Sequence, residues 1–243
     1  MKSAVPLILA LLLTWVSQSS AQSLTEPRLT IKPGISHGPY VALTFDACMG
    51  KVDERVLQSL IDNHIRATIF VTARWLKYNP QAVSVLKAHP DLFEIENHGA
   101  RHVPAVDVPM TIFGLAAAGS PQAVQVEVED GAKAISRIFG THPRWFRGAT
   151  GKYTVRSEKQ IQDMNYKIAG YSVLGDGGAE FSKSRAAATF ANAKNGDVIV
   201  AHINQPNRSA GAGVVEGILQ LKAKGFIFLR LEDGGLTHLP SMP

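Results

Sequence analysis

Short runs of β-branched and aromatic residues alternate along the chain with stretches whose apolar positions fall three and four apart. The runs Val41–Phe45, Ala67–Thr72, Phe93–Asn97, Arg144–Arg147, Lys167–Val173, Asp197–His202 and Phe226–Leu231 read as strands. Between them, Val56, Leu57, Leu60 and Ile61 share one helical face. So do Val124, Val128, Ile135 and Ile138, and again Val214, Val215, Ile218 and Leu219. Asp53, Ser84 and Ser157 stand where helix caps or first turns would fall. Seven strands alternating with helices, without repeat or internal linker, predict a single α/β domain built on a parallel sheet. A closed (β/α) barrel and an open doubly wound sheet both satisfy that pattern. No GxGxxG or P-loop supports the nucleotide-binding version of the second.

The ends of the chain read differently. Lys2 precedes an apolar run from Ala4 to Val16, and Ser17-Gln18-Ser19-Ser20-Ala21 follows with small residues at 19 and 21. That is the pattern of a cleaved secretory signal over residues 1–21, too short to span a bilayer comfortably. Residues 22–40, punctuated by Pro27, Pro33, Gly34, Gly38 and Pro39, read as an N-terminal arm, 41–232 as the barrel and 233–243 as a C-terminal tail. No later stretch approaches a membrane span, so the expected location is periplasmic or secreted. A composition of 45% hydrophobic and 19% charged residues excludes disorder for the bulk of the 243 residues. Cys48 is the only cysteine, so the core forms without an internal disulfide. The net charge of +5 is scattered and no nucleic-acid motif occurs, so no nucleic-acid partner is expected.

The candidate chemistry clusters at strand ends. Asp46 follows the first strand, and His98 follows the third with His102 four residues on. Arg147 ends the fourth, Ser172 and Asp176 end or follow the fifth, and His202 ends the sixth. In a parallel barrel the C-terminal strand ends share one face, so these side chains converge on one rim. Two imidazoles at one strand end can grip a metal from one side. The loop from Gly99 to Ser120 is unusually long, and its apolar stretch Ile112-Phe113-Gly114-Leu115-Ala116 could cover a cleft.

Thr44-Phe45-Asp46, Asn97-His98-Gly99-Ala100-Arg101-His102, Phe146-Arg147-Gly148 and Val198-Ile199-Val200-Ala201-His202 together resemble the successive motifs of polysaccharide deacetylases. This is the NodB-homology group, carbohydrate esterase family four. The resemblance implies a distorted (β/α) barrel of about seven parallel strands and a hydrolase acting on carbon–nitrogen bonds other than peptide bonds. It implies metal-dependent removal of acetyl groups from N-acetylated sugars of a carbohydrate polymer or oligosaccharide. It also implies roles: Asp46 as catalytic base, His98 and His102 as metal ligands, Arg147 as the residue orienting the base, and His202 as catalytic acid. Asp176 matches the family's aspartate motif only loosely. The resemblance also implies that Val200 lines the acetyl-methyl pocket and that the Thr150 amide stabilises an oxyanion, while Tyr153, just beyond, is expected on the substrate rim from its position in the chain.

The departures are specific. Ala47 stands where the family has a second aspartate that ligates the metal, and Arg147-Gly148-Ala149-Thr150 replaces Arg-Pro-Pro-Tyr. The third ligand is then Asp46, Cys48 or water, and a Cys/His/His set would favour zinc. Alternation argues against Cys48 unless the backbone leaves the strand before Ala47. A non-catalytic sugar-binding barrel and an O-acetyl esterase are the alternatives to an N-deacetylase. The signal makes the first prediction: protein recovered outside the cytoplasm should begin at Gln22 on N-terminal sequencing, and a mature chain retaining Met1 would contradict it.

Overall fold

The computed structural model describes residues 23–32, 34 and 38–242, with side chains to residue 238; the signal segment 1–21 lies outside them. In chain order the elements are β1 (Glu26–Ile31), β2 (Tyr40–Ala47), α1 (Glu54–Asp62), β3 (Ala67–Val71), α2 (Ala73–Tyr78), α3 (Pro80–Ala88) and β4 (Phe93–Asn97). A long loop follows, carrying β5 (Thr111–Ile112) and β6 (Leu115–Ala116), and then α4 (Pro121–Phe139). The remainder is β7 (Trp145–Phe146), α5 (Val155–Asp163), β8 (Lys167–Ile168), β9 (Val173–Leu174), α6 (Lys183–Ala191), β10 (Val198–His202), α7 (Ala210–Ala223), β11 (Ile227–Leu229) and β12 (Leu236–Met242). Asp53 caps α1 by accepting the Arg55 amide, and Thr154 with Ser157 forms a capping box on α5. Ser84 lies inside α3, which starts at Pro80 behind Asn79.

Parallel pairing orders the central strands β8-β7-β4-β3-β2-β10-β9. β11 joins β2 at Tyr40–Ala42, on the edge that β3 takes further along at Thr44–Ala47. The sequence run Lys167–Val173 is not one strand: it divides into β8 and β9, at opposite ends of the sheet path. Five residues can span at most ~18 Å, so the two edges lie close together and the sheet curls into a distorted barrel. Gly170 sits at that crossing because a Cβ there would come within 2.3 Å of the Pro27 carbonyl oxygen.

Alternation along the strands separates two cores. Val41, Leu43, Phe45 and Ala47 of β2 point outward with Ile69, Val71, Ile199 and Ala201, against Val56, Leu57, Leu60, Ile135, Val214 and Ile218 of the helices. Tyr40, Ala42, Phe70, Trp145 and Val198 point inward and pack on Leu29 and Leu231. Each large apolar side chain so buried contributes roughly 1.5–3 kcal/mol. The segment read as an arm supplies β1 and the tail supplies β12, and the two pair antiparallel, Leu29 opposite His238. No helix among the described residues is long and apolar enough to cross a membrane.

The inner face is polar deep on β4. Glu94 accepts from Thr68 Oγ1 at 2.6 Å, while Glu96 accepts from the amides of Arg144 and Trp145 at 2.8 and 2.7 Å. Burial first, and then the neighbouring Glu94, push Glu96 up to about 9, so the pair keeps a proton that the unfolded chain releases. Stability is therefore full below the ordinary carboxylate value, declines as pH rises, and stops declining near pH 9. Glu96→Gln keeps an acceptor for both amides, so urea unfolding across that window should show a flatter pH slope than wild type. An unchanged slope would show that this pair is not what titrates.

Candidate active site

The parallel register of β2 and β10 sets Asp46 beside His202. His98 follows β4 and still bonds back to the Val71 carbonyl at 3.0 Å, and the Arg147 amide does the same to Asn97 at 2.9 Å. From there the buried Arg147 side chain reaches across the inner face. Its Nη1 donates to Asp46 Oδ1 at 2.9 Å and to Thr44 Oγ1 at 3.0 Å. Its Nε donates to the Ala169 carbonyl and Nη2 to that of Gly170, each at 3.2 Å, and the guanidinium lies 4.3 Å from the Phe70 ring centre. Burial alone would raise the Asp46 carboxyl. Arg147 leads His98 and His202 in outweighing it, and the group stays below the usual carboxylate range.

Beside this pair lies a compact group of donors. Cys48 Sγ is 3.3 Å from His98 Nε2, and the ligand atoms of Cys48, His98 and His102 all lie within 4.8 Å of one another. His98 Nδ1–H donates to the Arg147 carbonyl at 2.6 Å, which leaves Nε2 with its lone pair facing the cluster. The His102 ring centre is 5.1 Å from that of His98, and its buried Nδ1 has no hydrogen-bond partner among the described residues. β2 does not end before Ala47. It runs through that residue, whose side chain is in the helix-side core, and this continuation turns Cys48 to the face of Asp46. The thiol would be raised by burial, but His98, His102 and His202 hold it well below its ordinary value. This donor set is one that could hold a divalent metal ion.

On the other side, Asp176 is buried and fully engaged by His202. Its Oδ2 accepts the His202 amide at 2.7 Å, and both oxygens lie 3.1 Å from His202 Nδ1. Burial would lower the imidazole; Asp176 more than reverses this and keeps it well above its ordinary value. Val200 lies on the same inner face, opposite Thr44. Thr150 adopts a left-handed backbone (φ 71°), as does His102 (φ 66°), conformations that cost about 1 kcal/mol or more and collect at functional sites. Tyr153 is buried away from solvent, its hydroxyl accepting the Gly148 amide at 2.7 Å, so it braces the loop that carries Thr150. Lys152 pairs with Glu26 at 2.8 Å, and Ser172 donates to Asp197 at 2.7 Å. The long loop forms a hairpin whose tip, Phe113, is 78% exposed.

Two further residues position this site, of which only Glu127 escapes the strand-end pattern. Glu127, buried in α4, accepts the amides of Arg101 and Val103 at 2.8 and 3.1 Å and so fixes the backbone on both sides of His102. Asn97 donates to the Val128 carbonyl at 2.8 Å and accepts the Gly99 amide at 2.9 Å. An acid between Val124 and Val128 on an apolar helical face was the available signal.

The chain is thus an α/β barrel that gathers Asp46, Cys48, His98, His102, Arg147, Asp176 and His202 at one strand-end rim. Residues 34–169, more than half of the chain, match the polysaccharide deacetylase family, and the chain belongs to that family. Comparison with curated proteins gives no match. Among solved structures, the Xyl-CE4 domain of a multidomain xylanase from the hindgut metagenome of Trinervitermes trinervoides is similar. It is 21% identical with a TM-score of 0.66 over 81% of this chain and 89% of that one. Peptidoglycan deacetylase PdaC from Bacillus subtilis is 21% identical, TM-score 0.64, over 81% and 89%. BA3943, a CE4 family pseudoenzyme from Bacillus anthracis, is 20% identical, TM-score 0.63, over 81% and 65%. At these identities the likeness is one of fold.

The Asp176–His202 contact yields the next prediction. In the metal-free protein, Asp176→Asn removes the charge that raises His202 and leaves burial to act, so its imidazole pKa should fall. NMR titration of the ring protons reads this directly. An unmoved pKa would mean that Asp176 orients the ring without setting its charge.

Proposed function

We propose that this chain is a metal-dependent hydrolase that removes acetyl groups from N-acetylated sugars of a polysaccharide or oligosaccharide outside the cytoplasm. The observation that carries the reading is that two register partners each hold an oppositely charged neighbour. On adjacent strands, Arg147 Nη1 donates to Asp46 Oδ1 at 2.9 Å and His202 Nδ1 lies 3.1 Å from both Asp176 oxygens, contacts that lower the first group's pKa and raise the second's. Hydrolysis of an amide needs both at once: a base to take the proton of the attacking water, and an acid to protonate the departing amine. Two groups whose surroundings push their protonation apart are the usual mark of that division of labour.

Asp46, with one oxygen fixed by Arg147, takes the water proton through the other. His202 delivers a proton to the amine nitrogen, and Asp176 stabilises the imidazolium before that transfer. The left-handed backbone at Thr150 lies where the family resemblance puts an amide for the developing oxyanion. His98 and His102 would hold the divalent ion, which when bound polarises the acetyl carbonyl and acidifies water. The membership of the polysaccharide deacetylase family supports the substrate class. Ala47 in place of an acid, together with the fold likeness to a CE4 family pseudoenzyme, favours a second reading: a barrel that binds acetylated sugar without turnover.

Acetate release from N-acetylated chitin and peptidoglycan oligosaccharides tests the proposal. Chelation and His98→Ala should each reduce it to background. Asp46→Asn should lower turnover by about 10²–10⁴-fold while the protein still takes up metal. Acetate release by His98→Ala equal to wild type would overturn the metal mechanism. Sugar binding by wild type without any acetate release would establish the second reading, and release from O-acetyl esters alone would make the protein an esterase.

A further inference from the structure

We infer that Cys48 supplies the third protein ligand of the metal site, as a thiolate beside His98 and His102, and that the site thereby selects a thiophilic ion, zinc above magnesium or calcium. This rests on the hydrolase reading above, but it is tested without turnover. Three observations carry it, and each concerns where a donor atom is free to point.

The first is strand geometry. β2 continues through Ala47, so Asp46 and Cys48 share the inner face while Ala47 is spent in the helix-side core. The Ala47 methyl is no donor and is buried in the helix-side core, and the next side chain along reaches His98. Cys48 Sγ lies 3.3 Å from His98 Nε2. Bonds of about 2.0–2.3 Å to a tetrahedral ion put its donor atoms roughly 3.3–3.7 Å apart, so this pair already stands at ligand spacing.

The second is the commitment of the other candidates. Asp46 Oδ1 is bonded to Arg147, and its Oδ2 is 3.9 Å from His98 Nε2. The carboxylate is thus held for proton transfer, and it is not part of the Cys48–His98–His102 group. His98 has its Nδ1 fastened to a carbonyl, while the buried Nδ1 of His102 has no hydrogen-bond partner among the described residues. A buried polar atom without a partner is costly in a finished site and is what a missing ligand leaves behind.

The third is that the segment bearing the sulfur is fixed from three directions. Thr72 Oγ1 donates to the Cys48 carbonyl at 2.6 Å, Asn79 donates to that of Gly50 at 3.0 Å, and Asn204 donates to that of Met49. A ligand held this way loses little freedom on binding. Uptake of the ion takes sulfur as thiolate and the imidazoles as neutral ligands, so any proton this group carries is released to solvent. Three protein ligands leave a fourth position open for water, the arrangement of catalytic zinc sites. A soft sulfur donor disfavours the hard cations that an all-oxygen set would take.

The test is metal titration of the chelator-stripped protein. With Co²⁺, wild type should show thiolate-to-cobalt charge-transfer absorption in the near ultraviolet, and so should Asp46→Asn. Cys48→Ser should lose that band and bind zinc more weakly by at least ~10-fold. Zinc should protect Cys48 from iodoacetamide in wild type, and a chelator should restore labelling. Should Cys48→Ser fail to fold, Cys48→Asp places an oxygen donor on the same face; it should bind divalent ions without the band and with less preference for zinc. The inference is overturned if Asp46→Asn loses the ion while Cys48→Ser binds normally, or if alkylation ignores zinc. It is also overturned if acetylated substrate leaves an acetyl group on Cys48, which would make the thiol a nucleophile backed by His202 and Asp176. A wild type that shows the band but releases no acetate sinks the hydrolase reading and leaves the ligand standing.

Discussion

A single buried guanidinium holds the upper part of this barrel together. Arg147 touches both strands of the acid–base pair, directly through Asp46 and, through Thr44, the Ile199 carbonyl of β10. It also binds the two carbonyls where the chain crosses between the sheet edges, and its own carbonyl fixes the tautomer of His98. Lysine could supply the charge but not this planar fork of donors. A buried ion pair costs much of what it gains in desolvation, so the return here is in geometry rather than net stability. Removing either partner would strand a charge in the interior.

Around that hub the inner face is graded from apolar to reactive. Tyr40, Ala42 and Val198 fill the lower barrel, Thr44 and Val200 form the next layer, and Asp46 and His202 the last. The same alternation that keeps Ala47 among the helices brings Cys48 back to the histidines. The site is thus read off the pleat of one strand, with its neighbours in fixed register.

Much of this was legible in the chain. β2, β3 and β10 are runs rich in β-branched and aromatic residues, and β4 alternates apolar and acidic positions. Asp46, His98, Arg147 and His202 stand at or just past the ends of β2, β4, β7 and β10, so a rim could be drawn from spacing alone. The division of Lys167–Val173 was not legible, because the apolar run continues across Gly170 and only tertiary contact with Pro27 breaks it. β1 and β12 hide in proline-punctuated, half-polar segments, since a ribbon at the edge needs little hydrophobic signal. Cys48 was the subtlest case. With the first strand drawn to Phe45, alternation argued against the thiol unless the chain left the strand before Ala47; the strand instead runs through Ala47, and Cys48 still meets His98. Glu127 is invisible by the strand-end rule because it acts from a helix on backbone amides.

The register that pairs Asp46 with His202 also has a kinetic side. The side-chain contact from Arg147 to Asp46 spans 101 positions, and the Thr44–Ile199 bond spans 155. Contacts so distant in sequence form only after the entropy of closing large loops has been met, which makes such topologies slow to fold. Until β10 docks against β2, a nascent or partly refolded chain has the apolar edge of its central strand open and no working constellation. The thiol and imidazoles are then available to any metal or oxidant nearby. Maturation of this barrel is therefore a race between strand docking and adventitious chemistry at its first motif.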